Sequence, residues 1–304
     1  MEKILKLKRE RNAVILAHYY TRPEVQEVAD YVGDSFQLSE IAASTEADVI
    51  LFAGVHFMAE TAKILSPSKI VLLPDLEAGC SLADSCKAED FAKFIAEHPD
   101  HLVISYINTT AQIKALTDIV CTSSNAVKIV QSLAADQKII FGPDRNLGNY
   151  IKGITGRENM VVWDGACHVH EEFSVEKLAQ LKRENPTAKV LAHPECKKAV
   201  LLLADHIGST AELLKFSQTD TAQTYIVVTE PGILHQMQKA SPAKTFIPAP
   251  PMDSTCGCND CAYMKLNSLA KIERALQTMQ PQIELPAELI EKAERSIRNM
   301  LKYR

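Results

Sequence analysis

The chain has 304 residues, with 33 Lys or Arg against 38 Asp or Glu and a net charge of −5. With no basic excess to displace counterions from phosphates, nucleic acid is excluded as the main partner, and 46% apolar residues exclude disorder as the dominant state. No apolar run approaches the roughly 18 residues that span a bilayer, so no membrane partner is expected.

The first dozen residues, MEKILKLKRERN, alternate charge with Ile4, Leu5 and Leu7 and read as a solvated amphipathic helix. Glu2 and Glu10 speak against a signal or transit peptide, so a cytoplasmic location is expected. In a reducing compartment the eight cysteines (80, 86, 121, 167, 196, 256, 258 and 261) read as metal ligands, catalytic thiols or core residues, not disulfides.

Three apolar runs then recur along the chain: Val14 to Tyr20, Leu102 to Asn108 and Val190 to Glu195. Their first polar positions, His18, Tyr106 and His193, are 88 and 87 residues apart. Seventeen residues past each lies a hydroxyl, Ser35, Ser123 and Thr210, where a new helical pattern begins, and an N-cap role is expected for all three. Further strands follow at Val49, Lys138 and Tyr225, each with a helix and another apolar strand behind it. Continuous apolar strands alternating with helices predict parallel sheets covered on both faces.

The loop after the last strand of each repeat carries thiols: Cys80, Cys167 and, by register, Cys256, with Cys258 and Cys261 just beyond. The expected fold is therefore α/β, three αβα units with small parallel sheets about a pseudo-threefold axis and the active site at the centre. The units are placed at 1–87, 88–172 and 173–284, with a helix at 285–304 returning to the first.

Three thiols from three loops fit a [4Fe-4S] cluster with one open iron, which acts as a Lewis acid on substrate oxygens. His18, Tyr20, Tyr106, Asn108, His193 and Glu195 at strand ends, with His170 behind Cys167, offer hydrogen bonds and proton carriers. Ser35, Ser123 and Thr210 at helix starts offer neutral anion sites, suited to a carboxylate or phosphate. Two other readings stand beside this one: a non-enzymatic iron–sulfur redox sensor, and a zinc-stapled small-molecule binding protein built on the cysteines at 256, 258 and 261. Cys86, Cys121 and Cys196 read as ordinary buried thiols.

The segments Ala17-His-Tyr-Tyr20, Val32-Gly-Asp-Ser35, Phe57-Met-Ala-Glu60, Thr122-Ser-Ser-Asn-Ala126, Gly142-Pro-Asp-Arg-Asn-Leu-Gly148, Cys167-His-Val-His170 and His193-Pro-Glu-Cys196 together resemble the quinolinate synthase family. The resemblance spans nearly the whole chain. It implies a [4Fe-4S] enzyme of de novo NAD biosynthesis that condenses iminoaspartate with dihydroxyacetone phosphate to quinolinate, phosphate and water. It admits a transient contact with an oxidase that produces iminoaspartate. It also implies Cys80, Cys167 and Cys261 as cluster ligands. Here the family pattern, which sets the ligand ahead of a Met-x-x-Asn helix start, matches Cys261 to Asn267 and outweighs the repeat register at Cys256. On this reading Glu195, paired with His193, and Tyr20 transfer protons. His18, Ser35, Tyr106, Asn108, Ser123 and Thr210 anchor substrate.

Overall fold

The three apolar runs that open the repeats are central strands of three separate sheets. The computed structural model describes residues 1–253 and 259–303, so Cys256 and Cys258 lie outside the described residues. The first sheet holds β1 (Ala13–His18), β2 (Tyr31–Gly33), β3 (Val49–Ala53) and β4 (Ile70–Leu72). The second holds β5 (Leu102–Tyr106), β6 (Ile119–Cys121), β7 (Ile139–Gly142) and β8 (Met160–Val162). The third holds β9 (Lys189–Ala192), β10 (His206–Ile207), β11 (Thr224–Val228) and β12 (Thr245–Pro248).

All three have one strand order, β2-β1-β3-β4, β6-β5-β7-β8 and β10-β9-β11-β12, and every pairing within them is parallel. These are the three αβα units that the repeat predicts. An unforeseen aspartate reinforces each: Asp30, Asp118 and Asp205 each stand 15 residues beyond a backbone N–H of the central strand, at Ile15, Val103 and Val190, and accept it at 2.8–2.9 Å. The hook satisfies a strand-start donor that the short neighbouring strand does not reach.

Apolar residues on successive strand positions leave both faces of each sheet to be covered. On the first sheet Leu16, Ile50 and Phe52 face a core shared with Ile104 and Phe141 of the second, whereas Ile15, Leu51 and Ala53 face Ile4, Ile272 and Leu276. The third sheet packs Val190 and Ile226 on one side and Leu191, Tyr225 and Val227 on the other. Each such fully buried Val, Leu or Ile contributes roughly 1.5–3 kcal/mol.

After β12 the chain crosses back. Helix Leu269–Thr278 lies against the N-terminal helix Glu2–Glu10 and the first sheet. The last helix, Ala287–Met300, sits between the first two repeats, against helix His56–Leu65 of one and helix Ala111–Ala115 and β6 of the other. The return therefore begins before residue 285, and the final helix bridges two repeats instead of covering the first alone. Among the described residues no helix is long and apolar enough to cross a membrane.

Candidate active site

Parallel sheets collect ligands beyond the carboxyl ends of their strands, and here three such ends open on one cavity. β1 ends on His18, β5 ends on Tyr106, and His193 follows β9; all three line it. Two residues on, Tyr20, Asn108 and Glu195 line it as well. The intervening turns are fixed alike: Thr21 and Thr109 donate their hydroxyls to the carbonyls of His18 and Tyr106 at 2.9 and 3.1 Å. The third repeat carries Cys196 at this position, buried, its Sγ 3.5 Å from the Val228 carbonyl. That is a packing role, and Cys86 and Cys121 are likewise buried among apolar side chains.

Ser35, Ser123 and Thr210 also line the cavity, though none is an N-cap. Asp34 caps helix Ser35–Ser44 and Ser209 caps helix Thr210–Thr219, each in a reciprocal box with the residue at N3, and Asn125 precedes helix Ala126–Ser132. In the first and third repeats the cap satisfies orphan N–H groups, which leaves the Ser35 and Thr210 hydroxyls for the cavity, whereas Asn125 Oδ1 accepts the Thr122 N–H.

Cys80, Cys167 and Cys261 come from the loops behind β4, β8 and β12 and complete the lining. Backbone N–H groups of the following turn face each sulfur: Leu82 and Ala83 for Cys80, His170 for Cys167, Tyr263 and Met264 for Cys261. Burial nevertheless pushes the Cys80 thiol up to about 12 and Cys261 up to about 11, and raises Cys167 well above the usual thiol range. Such thiols ionise when a cation arrives to hold them.

The polar groups form one connected network. His170 Nδ1 stands 2.9 Å from Glu195 Oε2, and His193 Nδ1 3.9 Å from Oε1. His193 Nε2 reaches Ser123 Oγ at 3.2 Å. The Tyr20 hydroxyl lies 2.9 Å from Thr210 Oγ1 and 2.7 Å from Thr229 Oγ1, and the latter is 3.0 Å from His170 Nε2. Burial pulls the His18 and His193 imidazoles down to about 3, so both are neutral hydrogen-bonding groups at pH 7. Burial opposes ionisation of Glu195, but His170 first, then His193 and the Tyr106 hydroxyl, hold its carboxyl at about 2. Burial raises the Tyr20 and Tyr106 phenols well above their usual range and keeps them as donors.

Four further side chains, Thr229, Glu230, Lys265 and Asp144, join the site although the sequence pattern did not single them out. Thr229 joins Tyr20 to His170. Glu230, fully buried, accepts the Cys261 N–H at 3.1 Å and pairs with Lys265 Nζ at 2.7 Å, while Lys265 also donates to the Tyr20 carbonyl at 2.7 Å. Gly232 lies close against the Tyr20 backbone, where a Cβ would meet the Tyr20 Cα at 2.7 Å. Asp144 accepts the Cys167 N–H at 3.2 Å and caps its own helix through the Leu147 N–H. The polar pair Thr229-Glu230 at the end of an apolar strand was the available signal.

A buried cavity at the ends of three parallel sheets, holding neutral imidazoles, a charged carboxylate, phenols and thiols, defines an α/β enzyme with a metal-binding donor set. The family model of quinolinate synthetase A protein matches residues 2–302. The quinolinate synthase of Thermosynechococcus vestitus is 64% identical over 97% of this chain and 92% of its own. Those of Synechocystis sp. and Synechococcus sp. are 62% and 60% identical, each over 98% of this chain and 93% of theirs. The chain belongs to the quinolinate synthetase A family, and it is an enzyme of the quinolinate synthase type.

Proposed function

We propose that the chain condenses iminoaspartate with dihydroxyacetone phosphate to quinolinate, phosphate and water in the cytoplasm, for de novo NAD biosynthesis. The observation that carries this reading is the convergence of a strand-end polar pair, a hydroxyl and a thiol from each of three repeats on one cavity. We place the repeats about a pseudo-threefold axis through it.

A [4Fe-4S] cluster fits the donor set. Cys80, Cys167 and Cys261 share the cavity, yet among the described residues the donors gathered within 4.8 Å are a different group, so the three thiols are spread too widely for one ion. They would hold three irons, and when bound the cluster supplies an open iron as a Lewis acid toward a hydroxyl or carboxylate oxygen.

The chain's own residues orient and move protons. Ser35, Ser123, Thr210, His18, Tyr106 and Asn108 anchor carboxylates and phosphate with neutral donors, holding the two reactants in register. Glu195, ionised and set against His193, accepts a proton, and Tyr20, held as a phenol, donates one.

The test is anaerobic assay of the iron- and sulfide-loaded chain with both substrates. Quinolinate forms if the reading holds, and its absence overturns it. Glu195→Gln keeps the cluster's visible absorption and loses about 10²–10⁴-fold in turnover. Cys80→Ser, Cys167→Ser and Cys261→Ser each lose the absorption itself.

A further inference from the structure

Cys167 Sγ, a ring nitrogen of His170 and a carboxylate oxygen of Glu195 all lie within 4.8 Å of one another. The His170 and Glu195 side chains are each only 3% exposed. His170 Nδ1 has no aligned hydrogen-bond partner, although Glu195 Oε2 is 2.9 Å away. Nε2 is engaged instead, 3.0 Å from the Thr229 hydroxyl, which is itself held by Tyr20. Nδ1 therefore faces the Glu195 carboxylate and the Cys167 sulfur in a buried place without an aligned hydrogen bond. A cation seated among the three would take one donor atom from each.

Sulfur, imidazole and carboxylate together suit a borderline-soft ion and not Mg²⁺ or Ca²⁺, which take oxygen. Zinc bonds of about 2.0–2.3 Å set tetrahedral donors roughly 3–4 Å apart, within side-chain adjustment of the distances seen. An imidazole whose far nitrogen donates to a fixed partner is the usual outer support of such a site.

We propose that the iron-free chain binds one Zn²⁺ through Cys167, His170 and Glu195, with Thr229 orienting the imidazole and a fourth position left to water. Cys167 enters as thiolate and its proton leaves to solvent. Resting on the cluster reading above, Cys167 is shared, so zinc and the cluster exclude one another.

The full-length chain, stripped of iron under anaerobic conditions, is titrated with Zn²⁺, and in parallel with Co²⁺ as a spectroscopic probe. One equivalent binds, and the cobalt form shows thiolate charge transfer with tetrahedral d–d bands; no stoichiometric binding overturns the proposal. His170→Gln and Glu195→Gln each weaken zinc by about tenfold or more and Thr229→Val by about 10–100-fold, while Cys80→Ser and Cys261→Ser stay within about threefold of the parent. Equal losses in Cys80→Ser or Cys261→Ser and in His170→Gln would place the ion on the three thiols and overturn it. X-ray absorption of the zinc-loaded parent needs no variant to fold: one sulfur with nitrogen and oxygen donors supports the site, and three sulfurs refute it. Iron and sulfide added to the zinc-loaded chain build no cluster absorption. A cluster formed with zinc retained would refute the shared ligand. These readouts use no turnover, so they stand or fall separately from the catalytic assignment.

Discussion

Lys114 is a fully buried cation whose ammonium donates to the carbonyls of Ile107, at 3.0 Å, and Thr109. The two carbonyls flank Asn108, so the lysine clamps the loop that carries Tyr106 and Asn108 into the cavity. Burial pulls its pKa from 10.5 down to about 8, against the opposing pull of Glu60. The unfolded chain then binds this proton more tightly than the folded one, so the charged form costs stability below pH 8 and the cost is lifted as pH rises to 10.5. In urea unfolding, stability relative to Lys114→Met should rise by about 3 kcal/mol across that window. A flat difference would contradict the depressed pKa. Residues of this kind explain what was legible in the sequence. His18, Tyr106 and His193 stood out because each ends an apolar run at one repeat interval, whereas Lys114 and Glu230 depend on neighbours from distant segments that no local pattern announces.

Helix starts separate two jobs that adjacent hydroxyls share. Ser209 caps its helix in a box with Glu212, while Thr210 turns its hydroxyl to Tyr20. Ser209→Ala should therefore cost about 1 kcal/mol of stability in denaturant melts with turnover kept. Thr210→Val should do the reverse, keeping stability and raising KM for the anionic substrate. Equal effects on both properties from either variant would show that the jobs are not divided. Ser35 and Thr210 sit at the turns their spacing predicts but one step inside the cap, because Ser and Thr are equally suited to cap and to cavity and only backbone dihedrals decide. The strands were easier to place, since unbroken apolar runs such as Val49–Ala53 have few other places to go. The aspartates at 30, 118 and 205 carried the same period and could have strengthened the repeat.

At the scale of the molecule, the last helix packs into the core that the first two repeats share. Ile297 is fully buried in the core that holds Leu16, Ile104 and Phe141. Ile297→Ala should lower stability by about 2–5 kcal/mol, and should shift a single transition without splitting it into two steps; two separated transitions would mean that the repeats unfold alone. The same wide sourcing of the cavity wall has a consequence for biosynthesis. A ribosome that has finished Cys80 must still make two further repeats before Cys261 emerges, which takes on the order of ten to forty seconds at about 5–20 residues per second. No partial chain contains the whole pocket, so a ligand that draws on the walls of all three repeats finds its full set of partners only on a nearly complete polypeptide.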